Sequence, residues 1–302
     1  MSPLDEIKHW RTRTFNLSFI HSQLEKPELK RIIEVLEMND SSNLKNFKNL
    51  AKLIKKGSEE ANDNLRFLQK LQDPCQKLEA AEPKNIPKIL PEILNCVRMI
   101  FELSKFYNTS DRIRGLLTKI SNQIIKRCRE KINIDEIHDG DVEKVMQDLD
   151  ESIQCGLEWR AIFEKSEGMI GKFSARKECW DVGDKKSVFA QVEAFVQRCK
   201  DLKDICLGQL QFARKGTGMQ LPEFGGSKGP EIAANLNELE RSFKKHLDKI
   251  RRVNYDILDV LKMSKWHEDF AEFNNNVKDL EVMFMNIISL AFNSVSTVED
   301  AV

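Results

Sequence analysis

The spacing of apolar residues leaves this chain little choice of secondary structure. From Phe270 they recur at Phe273, Val277, Leu280, Phe284, Ile287 and Ala291, in steps of 3, 4, 3, 4, 3 and 4. Such steps put every side chain on one face of an α-helix but scatter them over both faces of a strand. The seam is a heptad, which is suited to packing against another helix. Ile232, Leu236, Leu239, Phe243, Leu247 and Ile250 form a second stripe in steps of 4, 3, 4, 4 and 3. Phe189, Val192, Val196, Cys199, Cys206 and Leu210 mark a third helix, and Ile113, Leu117, Ile120, Ile124 and Cys128 a fourth. Each leaves a broad face of Lys and Glu, so each helix needs neighbours to be stable. Composition agrees: 302 residues contain only 13 Gly, 8 Pro and 2 Tyr, too few turns and strand-favouring aromatics for a sandwich or barrel. The expected fold is all-α, an elongated array of antiparallel helices and helical bundles.

The breaks are few. Pro27 sits in the first turn of a helix, where its missing N–H costs nothing. Pro91 clashes with the carbonyl four residues earlier, so the helix through Phe101 is expected to start at about residue 88 to 90. Thr109 or Ser110 caps the next helix, and His138-Asp139-Gly140-Asp141 is a turn. Residues 166–186 are poorly periodic, with Gly168, Gly171, Gly183 and Trp180. Residues 215–230 hold five of the 13 glycines, which marks a mobile or tightly turning loop. These breaks divide the chain into an N-terminal helical bundle region at 1–165, a linker at 166–186, and a second helical region at 187–302 containing the Gly-rich loop 215–230.

Chemistry is hard to place on this pattern. Lys+Arg and Asp+Glu are both 48, so the chain lacks the basic footprint of a nucleic-acid binder. The richest apolar run, Leu280 to Phe292, contains Glu281 and is too short to span a membrane. The first ten residues hold acids where a secretory leader needs a basic start, so a cytoplasmic location is expected. The seven cysteines are odd in number with no C-x-x-C, which suits reduced thiols. A phosphate loop needs G-x-x-x-x-G-K-[ST]. Gly168-Met169-Ile170-Gly171-Lys172-Phe173 has the wrong spacing, and Gly225-Gly226-Ser227-Lys228-Gly229 runs straight into Pro230. No two of the five His lie on one helical turn, and His267-Glu268 lacks a second His for a zinc motif. No catalytic residue, cofactor or metal site is therefore expected, and the chain is not expected to be an enzyme. The basic run Lys126 to Lys131 suits either an anionic ligand or a helix C-terminus. What remains is packing surface, and association with other helices is the function class the residues support.

Several strings occur in a telling order. His9-Trp10-Arg11-Thr12-Arg13 and Asn16-Leu17-Ser18-Phe19-Ile20-His21 come first, then Asn64-Leu65-Arg66-Phe67-Leu68 and Ile86-Pro87-Lys88-Ile89-Leu90-Pro91. Ser104-Lys105-Phe106-Tyr107-Asn108-Thr109 and Ala194-Phe195-Val196-Gln197-Arg198-Cys199 follow. Phe224-Gly225-Gly226-Ser227-Lys228-Gly229, Tyr255-Asp256-Ile257-Leu258 and Trp266-His267-Glu268-Asp269-Phe270 close the set. Together they resemble the first N-terminal tail region of dynein heavy chains, axonemal rather than cytoplasmic, from about residue 5 to residue 298.

The resemblance implies a helical rod cut from a much longer chain whose ATPase ring lies far C-terminal. It implies a tail segment without motor activity that joins other heavy-chain tails and dynein intermediate and light chains, meets microtubules only indirectly, and resides in the cytoskeleton of the ciliary axoneme. No nucleic acid and no membrane are implied. Phe224, Gly225, Gly226 and Trp266 are the candidate partner-contacting residues, with a purely structural role for the glycines and Trp266 as the alternative. A free-standing helical scaffold or tether without motor activity is the alternative function.

Overall fold

The computed structural model describes residues 2–39, 42–173, 185–213 and 228–293. Among these residues no strand occurs, and the expected all-α class is observed. The helices are α1 (Pro3–Leu24), α2 (Pro27–Met38), α3 (Asn43–Leu68), α4 (Gln72–Ala80), α5 (Ile86–Leu103), α6 (Ser110–Lys131), α7 (Ile134–Asp139), α8 (Val142–Phe173), α9 (Lys185–Gly208), α10 (Gly229–Arg251) and α11 (Met263–Asn293). A π-turn at Gln209–Ala213 follows α9.

Local chemistry sets the helix starts. Ser2 caps α1 by a reciprocal box: its hydroxyl accepts the Asp5 N–H at 3.2 Å, and the Asp5 carboxylate accepts the Ser2 N–H at 2.7 Å. Pro27 opens α2 at its first position, as the sequence predicts. Asp141 accepts the N–H groups of Glu143 and Lys144 at 3.1 and 3.2 Å and starts α8. Helix α5 begins at Ile86, two to four residues earlier than the position of Pro91 suggests. Pro91 lies inside it at the second turn, where it removes a single ladder hydrogen bond. Burial of Ile86, Leu90, Ile93, Leu94, Val97 and Ile100 outweighs that loss.

Gly140 makes the tight exit from α7. A Cβ there would lie 2.8 Å from both Cα and Cβ of Glu136, inside van der Waals contact. Gly140→Ala should therefore force a backbone shift and cost about 1–3 kcal/mol, measurable as a lower urea midpoint.

The described residues form two compact units. One comprises Met1–Arg127 and Cys155–Val192, the other Cys128–Gln154 and Glu193–Val302, and α6, α8 and α9 supply residues to both. In the first unit Arg11 bonds Gln72 and Ser18 faces Ser58, so α1 runs antiparallel to α3. Its core includes Trp159, Phe163 and Phe189 with ring centroids 5.1–6.3 Å apart, and the Trp159 indole N–H donates to Ser121 at 2.9 Å. In the second unit α10 and α11 are antiparallel: Lys249 meets Glu272 and Asn254 meets Lys265. All six residues of the α10 stripe are buried, and Phe270, Phe273, Leu280 and Ile287 of the α11 seam are buried as well. Residues 166–173, part of the expected linker, continue α8, while 174–184 lie outside the described residues.

Candidate docking surface

The N-terminal helices carry more apolar surface than they bury. In α2, Leu29, Ile32, Ile33 and Leu36 repeat at helical spacing, the pattern of a helix with one face inside. Yet α2 has no buried residue. Helix α3 repeats the situation in its first half, where Leu50 and Leu53 are exposed and burial starts only at Ser58. Phe15 and Phe19 of α1 are 72% and 60% exposed. Nine of the 17 large apolar side chains exposed among the described residues lie from Phe15 to Leu53, so they form a sequence-local cluster rather than scattered surface. The polar framing is light: Lys48 pairs with Glu37 between α3 and α2, and the Ser18 and Ser58 hydroxyls are 3.4 Å apart.

Below this surface a polar joint holds α1 in place. The Glu6 carboxylate accepts the Trp10 indole N–H at 2.8 Å, the Tyr107 hydroxyl at 3.0 Å and the Lys119 ammonium. Arg112 lies 5.4 Å from the Trp10 ring centroid and bonds Glu60 at 2.5 Å. Burial alone would raise the Glu6 pKa, but the three donors and the Lys119 charge together hold it below the ordinary carboxylate value.

Of the residues singled out in the sequence, Phe224, Gly225 and Gly226 lie outside the described residues. Trp266 is described, and it is fully buried. Its indole N–H donates to Asp201 at 2.7 Å, its ring stacks on Phe270 at 5.5 Å and 11°, and the Arg198 guanidinium carbon sits 4.5 Å over its face. Arg198 in turn donates to the carbonyl of Ile257. This arrangement welds α9, α11 and the turn before it, and it offers no ring surface to a partner. The step of four from Trp266 to Phe270 continues the heptad seam backwards and is the sequence signal for burial.

The other candidate chemistry is likewise structural. In the basic run, Arg129 pairs with Asp256, Lys131 with Asp148 at 3.6 Å, and Arg127 donates to the Ala81 carbonyl at 3.1 Å. Burial pushes the thiols of Cys75 and Cys206 up to about 12, leaving neither as a reactive thiolate at neutral pH. Among the described residues no His, Cys, Asp or Glu group is placed to hold a metal ion, and no helix is long and apolar enough to cross a membrane. Sequence reasoning missed Glu6 and Arg198, whose partners beyond the neighbouring Trp10 lie 59 to 113 residues away. It also missed the apolar face of α2, because a stripe reads the same whether or not something covers it.

Residues 1–302 match the family described as dynein heavy chain, N-terminal region 1. The chain belongs to the dynein heavy chain family. It is 43% identical over 292 residues, 97% of its length, to the dynein-1-beta heavy chain of the flagellar inner arm I1 complex from Chlamydomonas reinhardtii, of which it covers 6%. It is 31% identical over 304 aligned positions, 100% of its length, to dynein axonemal heavy chain 2 from Mus musculus, of which it covers 5%. Against the dynein beta chain of the flagellar outer arm from Chlamydomonas reinhardtii it is 28% identical over 302 positions, covering 98% of this chain and 6% of that protein. The segment thus spans only 5–6% of the length of these dynein heavy chains.

Proposed function

We propose that this chain is a non-catalytic tail segment of an axonemal dynein heavy chain. In this reading it associates with other heavy-chain tails and with dynein intermediate and light chains, so that the arm works in microtubule-based ciliary movement at the axoneme. The family match and the relatives named for flagellar inner and outer arms support the setting. The absence of a phosphate-loop pattern from the sequence supports a non-catalytic role.

One observation carries the assembly role: α2 presents an amphipathic apolar stripe with no fully buried residue, Ile32 and Leu36 being exposed and Leu29 and Ile33 only half-buried. An isolated helix of 12 residues is marginal in water, and a face of this kind is stabilised by a second helix laid along it. Burying one Ile or Leu there contributes about 1.5–3 kcal/mol. The test is co-expression of the 302-residue chain with a second heavy-chain tail and an intermediate chain. Co-elution with either on size exclusion is the expected result. A folded chain that elutes alone in the presence of both would overturn the reading.

A further inference from the structure

Helix α3 begins against its own electrostatics. The fifteen residues from Asn43 to Gly57 hold five lysines, Lys45, Lys48, Lys52, Lys55 and Lys56, and no acid, in a chain of zero net charge. The positive end of a helix dipole repels cations, yet Lys45 lies in the first turn of α3, which has no acid there and no side-chain cap. Lysines three and four apart also repel one another, as do Lys45 with Lys48, and Lys52 with Lys48, Lys55 and Lys56. No local interaction of the helix favours this row, and its surroundings neutralise little of it. Lys48 pairs with Glu37 and Lys55 acts through space on Glu25. Lys45, Lys52 and Lys56 are exposed and make no hydrogen bond or ion pair with another described residue.

These three lysines border an apolar line that a ligand can reach. Leu50 and Leu53 are 56% and 66% exposed. At helical spacing Lys45, Lys52 and Lys56 fall on one side of them, and half-buried Phe47 and Ile54 on the other. Phe47 and Ile54 share the face that continues through Ser58 and Ala61 toward α1. There Ser18 faces Ser58, and a Cβ on Gly57 would lie 3.4 Å from Leu17. The open line is thus apolar at its centre, closed toward α1 on one side and edged by free cations on the other. From Lys45 to Lys56 it runs about 16 Å, roughly three turns of helix.

That arrangement selects its occupant. Two leucines in a narrow line match the apolar ridge of a single helix. Acids along the edge of that helix would meet the three free lysines, as charged flanks do when they set partner choice between paired helices. An anionic membrane suits the site less. The broad apolar face of α3 is turned toward α1, and α2 beside it carries Glu28, Glu34 and Glu37. A polyanion without apolar groups would leave Leu50 and Leu53 in water.

We infer that Leu50 and Leu53, with Lys45, Lys52 and Lys56, form a docking site for an amphipathic helix of a partner protein that has an apolar ridge and an acidic flank. The inference rests on the reading of α1–α3 as an assembly surface and adds the chemistry of what binds there.

Fluorescence polarisation on the 302-residue chain tests this. The probe is a labelled designed helix with leucines at heptad spacing and glutamates along one flank. The other arms are the same helix with lysine for glutamate, a scrambled peptide of the same composition, and phosphatidylserine vesicles. The glutamate helix should bind at least about tenfold more tightly than the lysine helix or the scrambled peptide, and more weakly as salt is raised. Lys45→Glu, Lys52→Glu and Lys56→Glu together should invert the preference, so that the lysine helix binds more tightly. That variant should fold, since an acid in the first turn suits the helix dipole. If its helical circular dichroism is lost, glutamine at the same three positions replaces it, and the preference for glutamate should shrink at least about threefold. Leu50→Gln with Leu53→Gln should weaken the glutamate helix at least about fivefold. No binding of the glutamate helix, equal binding of the peptides, or a preference unchanged in the folded charge variant would overturn the inference. Vesicle binding in place of peptide binding, or self-association abolished by the leucine substitutions, would assign the face to another occupant and equally overturn it. A chain that rejects the probe yet still joins a second heavy-chain tail sinks this inference alone. One that does neither sinks the reading beneath it as well.

Discussion

Trp266→Ala is expected to destabilise the unit comprising Cys128–Gln154 and Glu193–Val302 by about 4 kcal/mol. The ring is fully buried, so truncation removes its transfer energy and leaves a cavity between α9 and α11. Two further losses add to this. Asp201, itself buried, loses the indole N–H and keeps the Gln197 amide at 2.8 Å. Arg198, whose pKa burial lowers while Asp201 raises it, loses the aromatic face that receives part of its charge. Trp266→Phe retains most of the packing against Phe270 and should cost only about 1–2 kcal/mol, the hydrogen bond to Asp201. Urea denaturation followed by circular dichroism separates the two variants. Native-state hydrogen exchange should show protection lost in α10 and α11. A loss below about 1 kcal/mol for the alanine variant would mean that the stack is not a structural centre.

Glu6→Ala is expected to cost about 3 kcal/mol, because it strands three donors at once. The Glu6 and Lys119 side chains are only 15% and 22% exposed, so the remaining ammonium cannot be fully rehydrated. The buried Tyr107 hydroxyl and the Trp10 indole N–H lose their acceptor as well. The joint also has a pH signature. The folded carboxyl has a pKa below its ordinary 4.5, so near that pH the unfolded chain binds more protons than the folded one. The stabilisation is present above the unfolded value and is lost as pH falls through the folded one. Glu6→Gln, which keeps an acceptor but cannot ionise, should show a flatter fall in urea midpoint on acidification from about pH 6 to pH 3. Parallel curves for the two proteins would remove Glu6 from the account.

The helical class was legible because period is a local property. Every position of the α10 stripe, from Ile232 to Ile250, is buried where the spacing places it, and the α6 stripe from Ile113 to Cys128 behaves the same way. Pro91 was misleading because a local rule about one carbonyl carries no information on how much apolar surface α5 gains by starting at Ile86. Trp266 was a candidate partner contact with a structural role as the alternative, and a tryptophan taken alone does not distinguish a surface ring from a buried one. Its step of four to Phe270 does. Glu6 and Arg198 were not legible at all, since Tyr107, Lys119 and Ile257 come to them only through tertiary packing. The face of α2 is the opposite case. Its amphipathic spacing is plain, and only the structure shows that the described residues leave Ile32 and Leu36 exposed and Leu29 and Ile33 no more than half-buried.

The central claim is that this incompletely buried face assembles the tail. Its most direct test is the affinity of an Ile32→Glu, Leu36→Glu double variant for a second heavy-chain tail, measured beside its own stability. Both side chains are exposed in this chain, so its urea midpoint should move by no more than about 0.5 kcal/mol. Association should weaken at least about tenfold, since each substitution removes one buried apolar contact and adds a charge to the interface. Unchanged affinity in a variant of unchanged stability would contradict the account.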